Sequence, residues 1–352
     1  MRRLSISLAL FLACSSCLYA APAALFYLTD SPDSIRSFLA HSRKIDLLVP
    51  TWYEVDENGL VTGAPNPTVL DRAHSESLPV MPIVALFNKK KFHALATSIQ
   101  AEDQMNEAML REAKLHGYVG FQFDLENVDY LDRDNLSALV AHTAEALHKA
   151  GLQISLASVP NAPGYPGKGG FAKWIYTDWR GAYDLAALSK SLDLICLMTY
   201  DQQTRWTEPG PVAGWQWTLD NLNYALQFVP KEKLSLGIPL YGYHWYTGAP
   251  TEDKVTGDYK PNATADYIST PDALQLANAF GGKPEWDAFD HTEFFWFYRD
   301  QMREWIFYTD VHTFKDRYQL TQDRGLQGFC SWVLGSEDPG IWDFLPDRVA
   351  TK

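Results

Sequence analysis

Eight short apolar runs, at residues 24–27, 47–52, 80–86, 119–125, 153–158, 192–198, 234–240 and 328–333, alternate along this chain with stretches of helical periodicity. Runs this short, separated by helix-length connections, read as strands buried on both faces, the pattern of a parallel sheet covered by helices. The connection after the fourth run shows its helix plainly. Leu136, Leu139, Val140, Thr143 and Leu147 mark one face over 134–150, and Gly151 stands where a C-cap belongs. Eight strand–helix units predict an α/β chain, a (β/α)8 TIM barrel, with a doubly wound open sheet as the alternative. Two departures from regularity stand out. Asn58-Gly59 is a hairpin-turn signal and predicts a small β excursion after the second strand. Between the seventh and eighth strands, residues 245–296 are rich in Gly, Pro, Thr and aromatics. That stretch is too long for an ordinary loop and predicts a small α+β insertion.

The bulk properties exclude whole classes of partner. At 352 residues with a formal net charge of −13, the chain lacks the basic surface that nucleic acid or an anionic membrane demands. Its one basic run, Lys89-Lys90-Lys91, reads as a solvated helix start. Arg2-Arg3, an apolar stretch over 4–18 and Ala20-Ala21 have the form of a secretory leader. The expectation is therefore a leader at 1–21, one catalytic domain over 22–352, export to the periplasm or beyond, and no transmembrane segment. Leu12-Ala13-Cys14 leaves lipid anchoring as an alternative. Cys14 and Cys17 fall inside the leader, so only Cys196 and Cys330 remain, both in strand-like runs. Two buried thiols are the first expectation, with a disulfide possible in an oxidising compartment. The nine histidines are scattered, no zinc motif is present, and neither a metal nor a cofactor is expected.

The fourth run ends in chemistry. Residues 119–123 alternate as a strand does and lead into Asp124 and Glu126, spaced i, i+2. Alternate strand residues share a face about 6.6 Å apart, so Gln122, Asp124 and Glu126 form a polar ladder. Polar groups on an otherwise apolar inner face are costly unless they are paired or used. Active sites of barrels lie at the C-terminal ends of the strands. The other strand ends carry Tyr27, Trp52-Tyr53, Met198-Thr199-Tyr200-Asp201, Tyr241-Gly242-Tyr243 and Ser331-Trp332. Two acids within a cup of aromatics suit glycoside hydrolysis: a proton donor, a charge stabiliser and flat faces for sugar rings.

These segments resemble glycoside hydrolase family 18, the chitinase-like (β/α)8 enzymes, over nearly the whole mature chain. The family's strand-four motif is DGxDxDxE, and this chain reads Val-Gly-Phe-Gln-Phe-Asp-Leu-Glu there. Met198-Thr199-Tyr200-Asp201 resembles the family's strand-six motif, and Trp332 falls where strand eight supplies a tryptophan beneath the reacting sugar. Residues 49–55 and 335–339 resemble the branch of bacterial spore-germination and cell-wall hydrolases. The resemblance implies a retaining, substrate-assisted mechanism in which the substrate's own 2-acetamido oxygen attacks the anomeric carbon. It gives Glu126 the role of general acid and then base, Asp124 that of steadying the oxazolinium cation, and Tyr200 that of aligning the acetamide. Trp332 would form the floor and Asp201 would contact the leaving-group side. Gln122, Tyr27, Trp52, Met198 and Tyr241 complete the expected substrate-binding set.

The chain also departs from the family pattern, with Val119 for the first Asp of the motif and Gln122 for the middle one. An amide here donates a hydrogen bond to Asp124 without sharing a proton, so Asp124 is expected to stay ionised more uniformly. The expected activity is hydrolysis of β-linked N-acetylglucosamine polymers by an exported monomer, with peptidoglycan the first substrate and chitin-type oligosaccharides the second. Two alternatives remain: a non-catalytic, lectin-like binder, and a barrel of unrelated chemistry.

Overall fold

The computed structural model of the chain describes residues 23–246, 251–252, 259–260 and 265–348. The expected leader lies outside these residues. Nine strands come before the insert: β1 (Ala23–Leu28), β2 (Leu47–Pro50), β3 (Tyr53–Val55), β4 (Val61–Gly63), β5 (Ile83–Leu86), β6 (Gly120–Leu125), β7 (Gln153–Ser158), β8 (Leu194–Leu197) and β9 (Leu234–Pro239). Next come β10 (Tyr241–Trp245), β11 (Thr251–Glu252), β12 (Tyr259–Lys260), β13 (Ala265–Ser269), β14 (Glu285–Asp287), β15 (Thr292–Arg299) and β16 (Met302–Tyr308). The last strand is β17 (Gly328–Trp332).

The helices are α1 (Pro32–His41), α2 (Pro67–Ser75), α3 (Lys89–Ala96), α4 (Ile99–His116), α5 (Arg133–Lys149) and α6 (Gly170–Ile175). They continue as α7 (Leu185–Ser191), α8 (Trp215–Ala225), α9 (Thr270–Phe280), α10 (Val311–Arg324) and α11 (Gly340–Phe344). Local chemistry sets their ends. Ser98 caps α4 by accepting from the amide of Ala101, and Gly117 stops it in the left-handed region at φ 69°. The predicted face of α5 is the one that packs: Leu136, Leu139, Val140, Thr143 and Leu147 are all fully buried.

The first sheet has the order β2-β1-β17-β9-β8-β7-β6-β5-β3-β4. All its pairs are parallel except β3–β4, the small hairpin whose turn carries Asn58-Gly59. The sheet is curled: β3 continues the path of β2 and pairs with β5, and a parallel bridge joins Leu48 of β2 to Val80. Strand alternation then sorts the side chains. Phe26, Leu48, Val84, Phe121, Phe123, Ile154, Leu156 and Ile195 point outward into the helix-facing core, each worth about 1.5–3 kcal/mol on burial. Leu25, Tyr27, Val49, Met81, Ile83, Ala85, Leu194, Cys196 and Cys330 form a separate inner cluster.

The two mature cysteines meet inside that cluster. Cys196 and Cys330 form a disulfide with a Cα–Cα distance of 6.2 Å, closing 134 residues of sequence. This corrects the first expectation of two buried thiols. β8 and β17 flank β9, with Cys330 level with Gly237 and Cys196 level with Ser235, so the sulfurs meet across the inner face of that strand. Curvature creates that proximity, and residue spacing carries no trace of it.

A second, antiparallel sheet of order β13-β10-β16-β15-β14 lies between β9 and β17 in the chain. It takes in residues on both sides of the expected 245–296 span. Only Leu240 separates its β10 from β9, so Tyr241 and Tyr243 are delivered directly to the strand ends of the first sheet. One face packs Phe295, Phe297, Ile306 and Tyr308 against Ala273 and Ala277 of α9. The other face is a ladder of rings that includes Tyr243, Trp245, Phe294, Trp305 and Phe307.

Candidate active site

Gln122 and Asp124 lie on the inner face of β6, level with Ile83 and Ala85 of β5, and Gln122 is also level with Ser155 of β7. Gln122 is fully buried and donates from Nε2 to Ser155 Oγ at 2.8 Å. Its Oε1, Asp124 Oδ1 and the Tyr27 hydroxyl are buried with no hydrogen-bond partner among the described residues. Tyr27 sits beside both Gln122 and Asp124. Buried polar atoms without partners cost about 1–3 kcal/mol each, so a set of them at a strand end marks a place kept for its chemistry.

Burial, reinforced by the charge of Glu126, pushes the Asp124 carboxyl well above its usual range. This overturns the expectation that Gln122 keeps Asp124 ionised. Gln122 donates to Ser155 and gives Asp124 no hydrogen bond that would offset its burial, so desolvation favours the neutral acid.

Glu126 stands one residue past the end of β6 and is half-buried. Desolvation raises its pKa, a hydrogen bond from Trp179 pulls it down, and the Asp201 carboxylate pushes it up again. The Trp179 Nε1–H donates to Glu126 Oε2 at 3.2 Å. A buried phenol on the same segment, Tyr183, donates to the Leu125 carbonyl at 2.6 Å and fixes the strand end that carries the acid.

Asp201 follows β8 in the left-handed region at φ 59°, a strained position for a residue with a side chain. Tyr241 and Tyr243 hold it there, donating to Oδ1 at 2.5 and 3.1 Å. Burial raises the Asp201 pKa and the two phenols partly offset that rise. Tyr200 is buried, with its phenol pushed far up by desolvation and by Tyr27, Asp124, Asp201 and Glu126, so it remains a neutral donor. Space for its ring comes from Gly237, where an added Cβ would lie 3.0 Å from Tyr200 Cε1.

The structure thus gathers Tyr27, Gln122, Asp124, Glu126, Tyr200, Asp201 and Tyr241 at one end of the curled sheet. Trp332 joins them through Tyr27, with ring centres 5.3 Å apart. Met198 is buried just past β8, its amide bonded to the Ser158 carbonyl. Trp52 does not join the group. It is 5% exposed and packs on Tyr118, whose ring contacts Tyr53 and Phe121 beneath α4. Strand alternation places it with Leu48 on the helix-facing side, opposite Val49 of the inner cluster.

Reading strand ends alone misses Trp179 and Tyr183, because both come from the long connection after β7. The signal available was compositional: an aromatic-rich stretch, 165–183, longer than a βα loop requires. A cleft of about 470 Å3, lined by Trp206, Trp245, Tyr246, Arg303 and Trp305 among others, opens beside the second sheet. Among the described residues no group of three His, Cys, Asp or Glu is placed to hold a metal ion, and no helix is long and apolar enough to cross a membrane. Two neighbouring carboxyls with raised pKa, a neutral phenol and an indole platform can move a proton onto a leaving oxygen and steady positive charge beside it.

The family model described as "Glycosyl hydrolases family 18" matches residues 36–337. The "Uncharacterized glycosylase YvbX" of Bacillus subtilis (strain 168) is 23% identical over 99% of this chain and 97% of its own length. The "Cortical fragment-lytic enzyme" of the same organism is 23% identical over 84% of this chain and 66% of its length. Among solved structures, a chitinase from Chromobacterium violaceum superposes with a TM-score of 0.80 at 24% identity, covering 92% of this chain and 98% of that one.

Proposed function

Because the chain belongs to glycosyl hydrolases family 18 and is a glycoside hydrolase, we propose that it cuts β-linked N-acetylglucosamine-containing glycans with retention, using the substrate's acetamide as nucleophile. The observation that carries this reading is the pairing of buried Asp124 with half-buried Glu126 beside the buried Tyr200 phenol: two acids of raised pKa and a neutral donor, with no separate protein nucleophile required. The curl of the first sheet and the Leu48–Val80 bridge support a closed (β/α)8 barrel, with the second sheet inserted between its seventh and eighth strands, β9 and β17.

In the proposed cycle Glu126 enters protonated and gives its proton to the glycosidic oxygen as that bond breaks. The acetamide oxygen, held in line by the Tyr200 hydroxyl, closes on the anomeric carbon. Asp124 accepts from the acetamide N–H through its carbonyl oxygen and is drawn toward its ionised form by the positive charge that develops beside it, which stabilises the oxazolinium ion. Glu126, now ionised, takes a proton from water, which opens the ring with the original anomeric configuration. Trp332 supports the sugar from below and Asp201, braced by Tyr241 and Tyr243, faces the leaving group. Neither metal nor cofactor enters this scheme. Likeness to a cortical fragment-lytic enzyme and to a chitinase supports this glycan class, with peptidoglycan ahead of chitin. Export, with the leader at 1–21 removed, belongs to the same reading.

The test is release of reducing ends from peptidoglycan and from chitooligosaccharides. Glu126→Gln should abolish release, a loss of at least about 10³-fold, while glycan binding stays within a few-fold of wild type. A lectin-like binder would bind equally well with either residue and release nothing from either protein.

A further inference from the structure

Glu126 has two oxygens, and the proposed reaction needs the proton on one in particular. We propose that Trp179 is a positioning residue for this acid: its indole N–H, which can only donate, occupies Oε2 of Glu126 and confines the transferable proton to Oε1. The inference rests on the assignment of Glu126 as general acid.

The chemistry is asymmetric in a way no second carboxylate or hydroxyl would be. An indole N–H has no acceptor capacity. If the proton of neutral Glu126 sat on Oε2, the indole N–H would face a hydroxyl oxygen, a much poorer acceptor than the carbonyl oxygen, at the 3.2 Å contact. On Oε1 it leaves Oε2 free to accept, so one contact both orients the carboxyl and selects its protonated oxygen. The same contact stabilises the ionised form and lowers the pKa, against the upward push of desolvation and of Asp201. The other titratable groups around Glu126 are Asp124, the Tyr183 phenol and the Tyr200 phenol. Among the groups that set its pKa, Trp179 is the donor that pulls it down.

The indole is held for the purpose. It lies in a π-helical turn, Tyr176–Arg180, that follows α6. Ahead of it, Asp178 is ion-paired with Lys89 of α3 and accepts from the Thr177 hydroxyl at 2.9 Å. Behind it, Arg133 of α5 donates to the Gly181 carbonyl at 3.0 Å and pairs with Asp184 at 3.0 Å. The Arg180 guanidinium lies 5.4 Å from the Trp179 ring centre. Four residues after Trp179, the Tyr183 hydroxyl donates to the Leu125 carbonyl. One segment therefore holds the backbone before Glu126 and the carboxyl of Glu126 itself, pinned by α3 on one side and α5 on the other.

Trp179→Phe keeps a ring and removes the donor. The alkaline limb of kcat/KM, set by loss of the acid's proton, should move to higher pH. On an N-acetylglucosamine oligosaccharide, whose leaving oxygen needs full protonation, kcat should fall about tenfold with KM nearly unchanged. On a 4-nitrophenyl glycoside, whose leaving group departs with little help, the loss should stay under about twofold. Trp179→His, which restores a ring N–H, should bring the limb back toward wild type. Should the Phe variant fail to fold, Trp179→Met supplies the same donor-free comparison. An unmoved limb with equal losses on both substrates would reduce Trp179 to packing and overturn the proposal. Glu126→Gln, run alongside, separates the two levels: if it still cleaves the oligosaccharide, the assignment of the acid itself falls.

Discussion

The disulfide between Cys196 and Cys330 makes a quantitative demand on stability. Closing a loop restricts the unfolded chain by an entropy of about −2.1 − 1.5R ln n cal/mol/K. For the 134 residues between these cysteines this amounts to about 5 kcal/mol at 25 °C. An unfolding entropy near 2.1 cal/mol/K per residue, over the 352-residue chain, makes each kcal/mol worth a little over 1 °C. The double variant Cys196→Ala/Cys330→Ala, or the reduced protein, should therefore melt about 7 °C lower. That figure is an upper bound for the reduced protein, because the unfolded chain retains some compactness, whereas the alanine pair loses a little more through the part of the inner cluster it leaves unfilled. The assay is calorimetry of oxidised protein, reduced protein and double variant in matched buffer. A melting point unchanged by reduction, with the thiols shown to be free, would refute the argument. So would a double variant that loses far more stability than the reduced wild type, which would assign the effect to packing instead of loop closure.

Two further outcomes follow from the same geometry. Burial favours the protonated form of Asp124, so its contribution to stability is complete below the ordinary carboxylate value of 3.8 and is lost as pH rises through the raised one. Asp124→Asn should accordingly melt higher than wild type at neutral pH, with the advantage vanishing toward pH 4, while hydrolysis falls about 10²–10³-fold; identical melting curves at every pH would contradict this. An alanine Cβ at Gly237 would lie 2.4 Å from the Leu197 carbonyl oxygen, 2.7 Å from the Thr199 nitrogen and 3.0 Å from the Tyr200 ring. Gly237→Ala should thus cost about 1–3 kcal/mol in a denaturant titration and lower kcat by displacing Tyr200, and a neutral effect on both would show that the Tyr200 pocket is looser than its contacts.

How much could be read without coordinates depends on whether the signal is local. The parallel first sheet, the hairpin at Asn58-Gly59 and the buried face of α5 follow from periodicity and turn chemistry, which are written within a dozen residues of where they act. So do the acids: Asp124 and Glu126 are found by their i, i+2 spacing at the end of an apolar run. Position at a strand end does not specify a face: Trp52 has the parity of Leu48, on the helix-facing side, and not that of Val49 on the inner one. Gln122 stands out in the sequence as an amide in place of an acid, but its effect on Asp124 is not legible there, because the side chain it donates to is Ser155 on the next strand.

The chain by itself determined which elements form, which family motifs they carry, and which side chains reach the strand ends. Those are consequences of short-range geometry and residue type. Tertiary structure alone decided what those side chains meet. It joined Cys196 to Cys330 across β9, braced Asp201 with phenols from the second sheet, and brought Trp179 from the connection after β7 onto Glu126. It also set the ionisation of the acids, since a carboxyl's pKa depends on burial and on the charges facing it, neither of which is a property of its neighbours in sequence.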